Sequence, residues 1–172
     1  MKTTGGLLSS SIVAAALLAG PAQAQETATA SLQDQQGQDV GTVELRQTPT
    51  GVHIVANLTG LPAGEHGFHI HETGTCEGDF TSAGGHFNPG GAEHGFHSEG
   101  GPHAGDFPNI HVPEGGALTV EYVNDRVSLE EGAEGTLRDN DGSAIVFHAN
   151  PDDYQSQPAG DAGPRIACGV IE

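Results

Sequence analysis

Gly67-Phe68-His69-Ile70-His71-Glu72 is the stretch on which the reading of this chain turns. Phe68 and Ile70 alternate with His69 and His71, the two-residue period of a β-strand, so the apolar pair faces one side and both imidazoles the other. The apolar face can enter a core, which leaves the imidazoles outside it. Ala144-Ile145-Val146-Phe147-His148 repeats the arrangement, with Ile145 and Phe147 inward and His148 outward. Three imidazoles carried on rigid strands make a partial shell suited to copper.

Outward from these segments, the pattern is short, alternating and rich in turns. Residues 42–46, 52–54 and 118–122 alternate, residues 165–171 supply another strand near the end, and Thr59-Gly60, Asn124-Asp125 and Asp141-Gly142 punctuate them. Long helical periodicity is nearly missing. The chain therefore reads as all-β, an antiparallel Greek-key β-sandwich or flattened barrel with long metal-binding loops, rather than a βαβ fold.

Between residues 72 and 109 the alternation stops. A connection of that length far exceeds the usual 2 to 6 residues or so, and such loops are functional or disordered. His71, His86, His94, His97 and His103 lie at or inside it. His86, His94, His103 and Asp106 form a four-ligand set suited to tetrahedral zinc, and one carboxylate among histidines favours zinc over calcium or magnesium. Metal can organise a loop too poor in apolar residues to hold itself. A second long connection, 149–164, reads as a lid or rim.

The N-terminus has the three parts of an export signal: Lys2, an apolar run over 12–18, and the small-residue site Ala22-Gln23-Ala24. The expected division is a signal peptide over 1–24 and one domain over 25–172. No segment approaches the ~20 apolar residues of a membrane span, so no membrane embedding is expected. Cys76 and Cys168 are the only cysteines, an even pair for which export permits a disulfide, two buried thiols being the alternative. The whole chain has 23 acidic and 5 basic residues, a net charge of −18, and losing Lys2 takes it to −19. Such a surface repels nucleic acid and anionic membranes, and serves solubility rather than a specific acidic binding face.

The motifs Gly67-Phe68-His69-Ile70-His71-Glu72, Ser82-Ala83-Gly84-Gly85-His86-Phe87-Asn88-Pro89, Pro102-His103-Ala104-Gly105-Asp106-Phe107-Pro108-Asn109 and Gly163-Pro164-Arg165-Ile166-Ala167-Cys168-Gly169-Val170-Ile171 together resemble the copper/zinc superoxide dismutases in their exported bacterial form. The resemblance runs from about residue 30 to 171. It implies copper on His69, His71, His86 and His148, zinc on His86, His94, His103 and Asp106, and a bridging role for His86. It further implies superoxide as substrate, dismuted to oxygen and hydrogen peroxide, with Arg165 and His86 as catalytic residues. Asp152 takes the place of a carboxylate linking a copper histidine to a zinc histidine, and a Cys76–Cys168 disulfide would tie the metal loop to the last strand. A periplasmic location follows from the same resemblance, which leaves monomer and homodimer both open.

One departure concerns charge. The rim carries Gln155 where many relatives have a lysine thought to steer superoxide, and Asp161 adds a negative charge nearby. His53, His66, His97 and His111 have no place in the pattern and read as structural or exposed, with His97 a minor candidate for an adventitious ligand. The rival function is a non-enzymatic copper/zinc-binding envelope protein. Such a protein needs the ligands but not Arg165.

Overall fold

The structure is a computed structural model that describes residues 1–2 and 25–172. The expected signal peptide therefore lies, apart from Met1 and Lys2, outside the described residues. Among the described residues nine strands follow in order: β1 (Thr27–Asp34), β2 (Asp39–Thr48), β3 (Gly51–Leu58), β4 (Gly64–His66), β5 (Phe68–His71), β6 (Ile110–Val112), β7 (Leu118–Asn124), β8 (Ala144–His148) and β9 (Arg165–Val170). Seven build one antiparallel sheet in the order β5-β8-β9-β1-β2-β3-β7, and β4 pairs with β6 in a second, two-stranded sheet. Among the described residues the only helical element is one 3-10 turn, Thr81–Ala83. The fold is thus all-β and antiparallel, as the flattened-barrel expectation required, and no helix of the described residues is long and apolar enough to cross a membrane.

Alternation decides which face enters the core. In β1, Ala28, Ala30 and Leu32 point inward, and in β3, Val52, Ile54, Ala56 and Leu58 do the same; all join one apolar cluster with Phe68, Ile70, Ile145 and Phe147. Phe68 stacks between Phe107 and Phe147 at ring-centre distances of 4.8 and 5.0 Å. That stack anchors β5 on its core side, so the two histidines must face away.

Strands β5 and β8 are buried on both faces, unlike β1 and β3. A smaller cluster of Phe80, Ala83, Ala144, Val146 and Cys168 covers the outer side of β8. This explains the almost unbroken apolar run over 144–147, since a strand covered on both sides has no solvent face to make polar. The covering comes from the long loop. Its first part is fastened by the disulfide between Cys76 and Cys168, 92 residues apart.

Candidate metal centre

The free edge of β5 gathers the loop. Ile70 N–H donates to the Gly105 carbonyl at 2.9 Å, Phe87 N–H donates to the Ile70 carbonyl at 2.8 Å, and Glu72 N–H donates to the Gly85 carbonyl at 3.0 Å. Gly105 N–H closes the set on the Phe87 carbonyl at 2.8 Å. Two passes of one loop are thereby stitched to β5 and to each other, setting His86 opposite His71 and Asp106 opposite His69. Residues 20 apart in the chain meet because both are tied to the same strand edge.

Two groups of side chains result. His69, His71, His86 and His148 form one, and His86, His94, His103 and Asp106 the other; within each, one ligand atom per residue lies within 4.8 Å of all the others. His86 belongs to both, and every member is buried. Ring nitrogens His69 Nδ1, His71 Nε2, His86 Nε2, His94 Nδ1, His103 Nδ1 and His148 Nε2 have no hydrogen-bond partner. A buried polar atom without a partner is costly, so six of them converging in two clusters fit electron-pair donation to bound cations.

The opposite nitrogens are occupied. His71 Nδ1–H donates to the Gly84 carbonyl at 3.0 Å and His148 Nδ1–H to the Gly163 carbonyl at 3.1 Å. His69 Nε2–H donates to Asp152 Oδ2 at 2.8 Å, and His94 Nε2–H to Asp152 Oδ1 at 3.0 Å. Each such bond fixes a tautomer and leaves the other nitrogen as a lone-pair donor aimed into its cluster. Asp152 is itself clasped by Asn109, whose Oδ1 accepts from the Asp152 N–H and whose Nδ2 donates to its carbonyl, both at 2.9 Å. Gly160 makes room for this bridge. A Cβ there would sit 1.9 Å from Asp152 Oδ1 and 2.7 Å from His94 Nε2, and its φ of +64° favours glycine independently.

Electrostatics separate the two groups. Burial lowers the pKa of His69 to about 3 and of His148 to about 4, and carries His71 well below the ordinary value. Burial also opposes charge on His94, but its contacts with Asp106 and Asp152 outweigh that and raise it to about 9. Burial alone would raise the Asp106 carboxyl, yet His103, His86 and His94 hold it far below the carboxylate range. Asp152 is lowered for the same kind of reason, its hydrogen bonds from His69 and His94 overcoming its burial.

Arg165, at the start of β9, is pinned by Nη1 donating to the Phe80 carbonyl at 2.5 Å and Nη2 to the Gly84 carbonyl at 2.6 Å. The Gly84 carbonyl thus serves both Arg165 and the His71 ring. Among the remaining histidines, His66 is buried between the His148 and Pro62 carbonyls, at 2.8 and 3.0 Å, while His97 and His111 are exposed and belong to neither group. His53 lies 3.2 Å from Glu121 on the outer sheet face. Asn109 stands inside a quoted motif without a role assigned to it, and the Gly84 and Gly163 carbonyls carry no side-chain signal at all.

An all-β protein whose sheet edge and long loop converge on a shared histidine belongs to a class built around two adjacent metal positions. A family profile described as copper/zinc superoxide dismutase (SODC) matches residues 40–171. Cu-Zn superoxide dismutase 2 of Aquifex aeolicus is 44% identical, with 99% of this chain and 99% of that protein covered. Cu-Zn superoxide dismutase 1 of the same organism is 48% identical over 87% of this chain and 90% of that one. The crystal structure of a SOD-like protein from Bacillus subtilis is similar with a TM-score of 0.80 at 39% identity, covering 84% of this chain and 97% of that chain. The chain belongs to the copper/zinc superoxide dismutase family.

Proposed function

We propose that His69, His71, His86 and His148 hold copper, that His86, His94, His103 and Asp106 hold zinc, and that Arg165 and His86 are the catalytic residues. The activity of the family is the dismutation of two superoxide anions with two protons to oxygen and hydrogen peroxide. Bound copper supplies the one-electron redox cycle. The observation that carries the assignment is the set of unpartnered ring nitrogens: Nε2 of the shared His86, three more in the group of His69, His71 and His148, and two in the group of His94 and His103.

The chain's own residues do the rest. Arg165 keeps three of its five N–H groups after its two carbonyl bonds, and a fixed guanidinium holds an anionic diatomic while offsetting its desolvation. Its rigidity favours the enzyme over a metal buffer, which has no use for a pinned cation beside the His71 ring. His86 Nε2 takes up a proton when it is not ligating and delivers it to the reduced oxygen species. Asp106 Oδ1, 2.9 Å from His86 Nδ1, keeps that ring in place meanwhile. Asp152 orients His69 and His94 together, so neither group can shift without the other.

We also infer a signal peptide over 1–24, a single domain over 25–172 and a periplasmic location. The disulfide supports this, since such bonds persist in oxidising compartments. N-terminal sequencing of the protein from an envelope fraction should begin at Gln25. The test of function is superoxide consumption together with metal content. Loaded protein should carry one copper and one zinc per chain and consume superoxide, and copper-free protein should not. Full activity without copper would overturn the assignment.

A further inference from the structure

The rim segment 149–164 reaches His94 twice. Asp152 holds its ring, and Gln157 holds its main chain: Gln157 Oε1 accepts from the His94 N–H at 2.9 Å, while Nε2 donates to the His94 carbonyl at 2.9 Å. One side-chain amide thereby satisfies both peptide groups of a single residue, as a paired strand does for its partner in an antiparallel ladder. His94 sits in a stretch without regular secondary structure, so no ladder is otherwise present to fix it. Ser98 Oγ adds a bond to the same carbonyl at 2.5 Å and lies 3.3 Å from Gln157 Nε2.

The geometry of the two groups explains why this matters. His69, His71 and His148 inherit their backbone directions from β5 and β8, and His86 lies beside the β5 edge. The peptide groups flanking the His94 Cα are held instead by side chains: Gln157, 63 positions further along the chain, on both of them, with Ser98 Oγ on the carbonyl and Asp106 Oδ2 accepting from the Gly95 N–H. Rotation of its peptide planes would swing Nδ1 away from Asp106 Oδ2, now 3.2 Å distant. The two amide bonds oppose both rotations, one on each side of the Cα.

We propose that Gln157 is a positioning residue for the zinc-side group, holding the His94 backbone so that its Nδ1 stays directed at the metal position and zinc is released slowly. The proposal rests on the reading of His94 as a zinc ligand. Outer partners of metal ligands typically alter affinity by about 10 to 100-fold, and the exposed outer side of Gln157 sets the expected effect at the lower end.

The experiment compares protein loaded with copper and zinc in four forms: unmodified, Gln157→Ala, Gln157→Met and His94→Ala. Zinc release to a chromogenic chelator, copper release and the thermal midpoint of the metal-free protein are measured for each. Gln157→Ala and Gln157→Met should both release zinc about tenfold faster, with copper release and the metal-free midpoint unchanged. Methionine keeps the length but neither bond, so a methionine variant that releases zinc like the unmodified protein would overturn the proposal. So would unmodified zinc release in the alanine variant, or an equal acceleration of both metals with a lowered metal-free midpoint, which marks a general tie of the fold. His94→Ala should lose zinc from this group; undiminished zinc there would instead overturn the ligand assignment itself, and the proposal with it.

Discussion

The two halves of the metal centre solve the same positioning problem by different physics. On the side proposed for copper, three histidines stand on strands, and their spare nitrogens are locked by the Gly84 and Gly163 carbonyls and by Asp152. Burial keeps these rings neutral. On the side proposed for zinc, His94, His103 and Asp106 come from a loop, and a buried carboxylate collects the rings around it, accepting in addition from the Gly95 and His103 N–H groups at 2.9 Å each. Where a hydrogen-bonded ladder fixes the backbone, neutral rings suffice. Where it does not, a network of opposite charges and side-chain clasps takes over.

The largest effect should come from the residue the halves share. His86→Ala should deplete both metals and bring superoxide consumption near background, whereas His148→Ala should lose copper and spare zinc. Metal analysis of the two variants decides it. Zinc loss with copper retained in His148→Ala would reverse the assignment of the groups.

The disulfide tests how far the loop depends on its fastening. Closing 92 residues is worth about 4 to 5 kcal/mol in the chain-entropy model. Cys76→Ser should lower stability by up to that amount in denaturant titration and should weaken zinc retention more than copper retention. Equal losses on both sides would show that the strands are no more independent of the loop than His94 is.

Arg165 should affect turnover alone. In Arg165→Ala the copper and zinc content should stay intact while efficiency falls by about one to two orders of magnitude, and Arg165→Lys should recover part of it. Steady-state kinetics on protein of verified metal content is the measurement. Unchanged efficiency in the alanine variant would remove this residue from the mechanism.

The smallest and most diagnostic effect is on pH dependence without metal. His69 and His148 have folded pKa values of about 3 and about 4, below the unfolded 6.5, so the unfolded chain binds more protons as pH falls below 6.5 and stability declines. His94, raised to about 9, stabilises fully below 6.5 and loses that contribution as pH rises towards 9. Stability of the metal-free protein should therefore fall on both sides of about pH 6.5. His94→Gln should flatten the alkaline limb, and His148→Gln should reduce the acid one. Thermal midpoints across pH 4 to 9 or so would show a single shared limb if the two halves were electrostatically alike.

Much of this was legible along the chain. The alternation over 42–46, 52–54 and 118–122 falls within β2, β3 and β7, and Phe68, Ile70, Ile145 and Phe147 do enter the core. The identities of the clustered residues were also readable, because imidazole and carboxylate announce their chemistry wherever they stand. Strand β1 was harder to see, since its inward residues are Ala28, Ala30 and Leu32 and alanine marks an apolar face weakly. The three-residue strands β4 and β6 are too short for any period to show.

Sequence by itself determined the alternating faces, the types of ligand available and the cysteine pair, all properties of side chains and their local spacing. Only the tertiary structure decided how they meet. The linking role that the resemblance implies for Asp152 depends on the fold burying it between His69 and His94, and Gln157 carries no signal along the chain, its amide meeting both peptide groups of His94 only in the folded loop. The carbonyls of Gly84 and Gly163 belong to every chain alike, and become tautomer locks only where the backbone's path brings them against His71 and His148. Donors and acceptors of the main chain are the same at every residue but proline, which lacks the N–H, so their roles are set by long-range geometry rather than by the letters of the sequence.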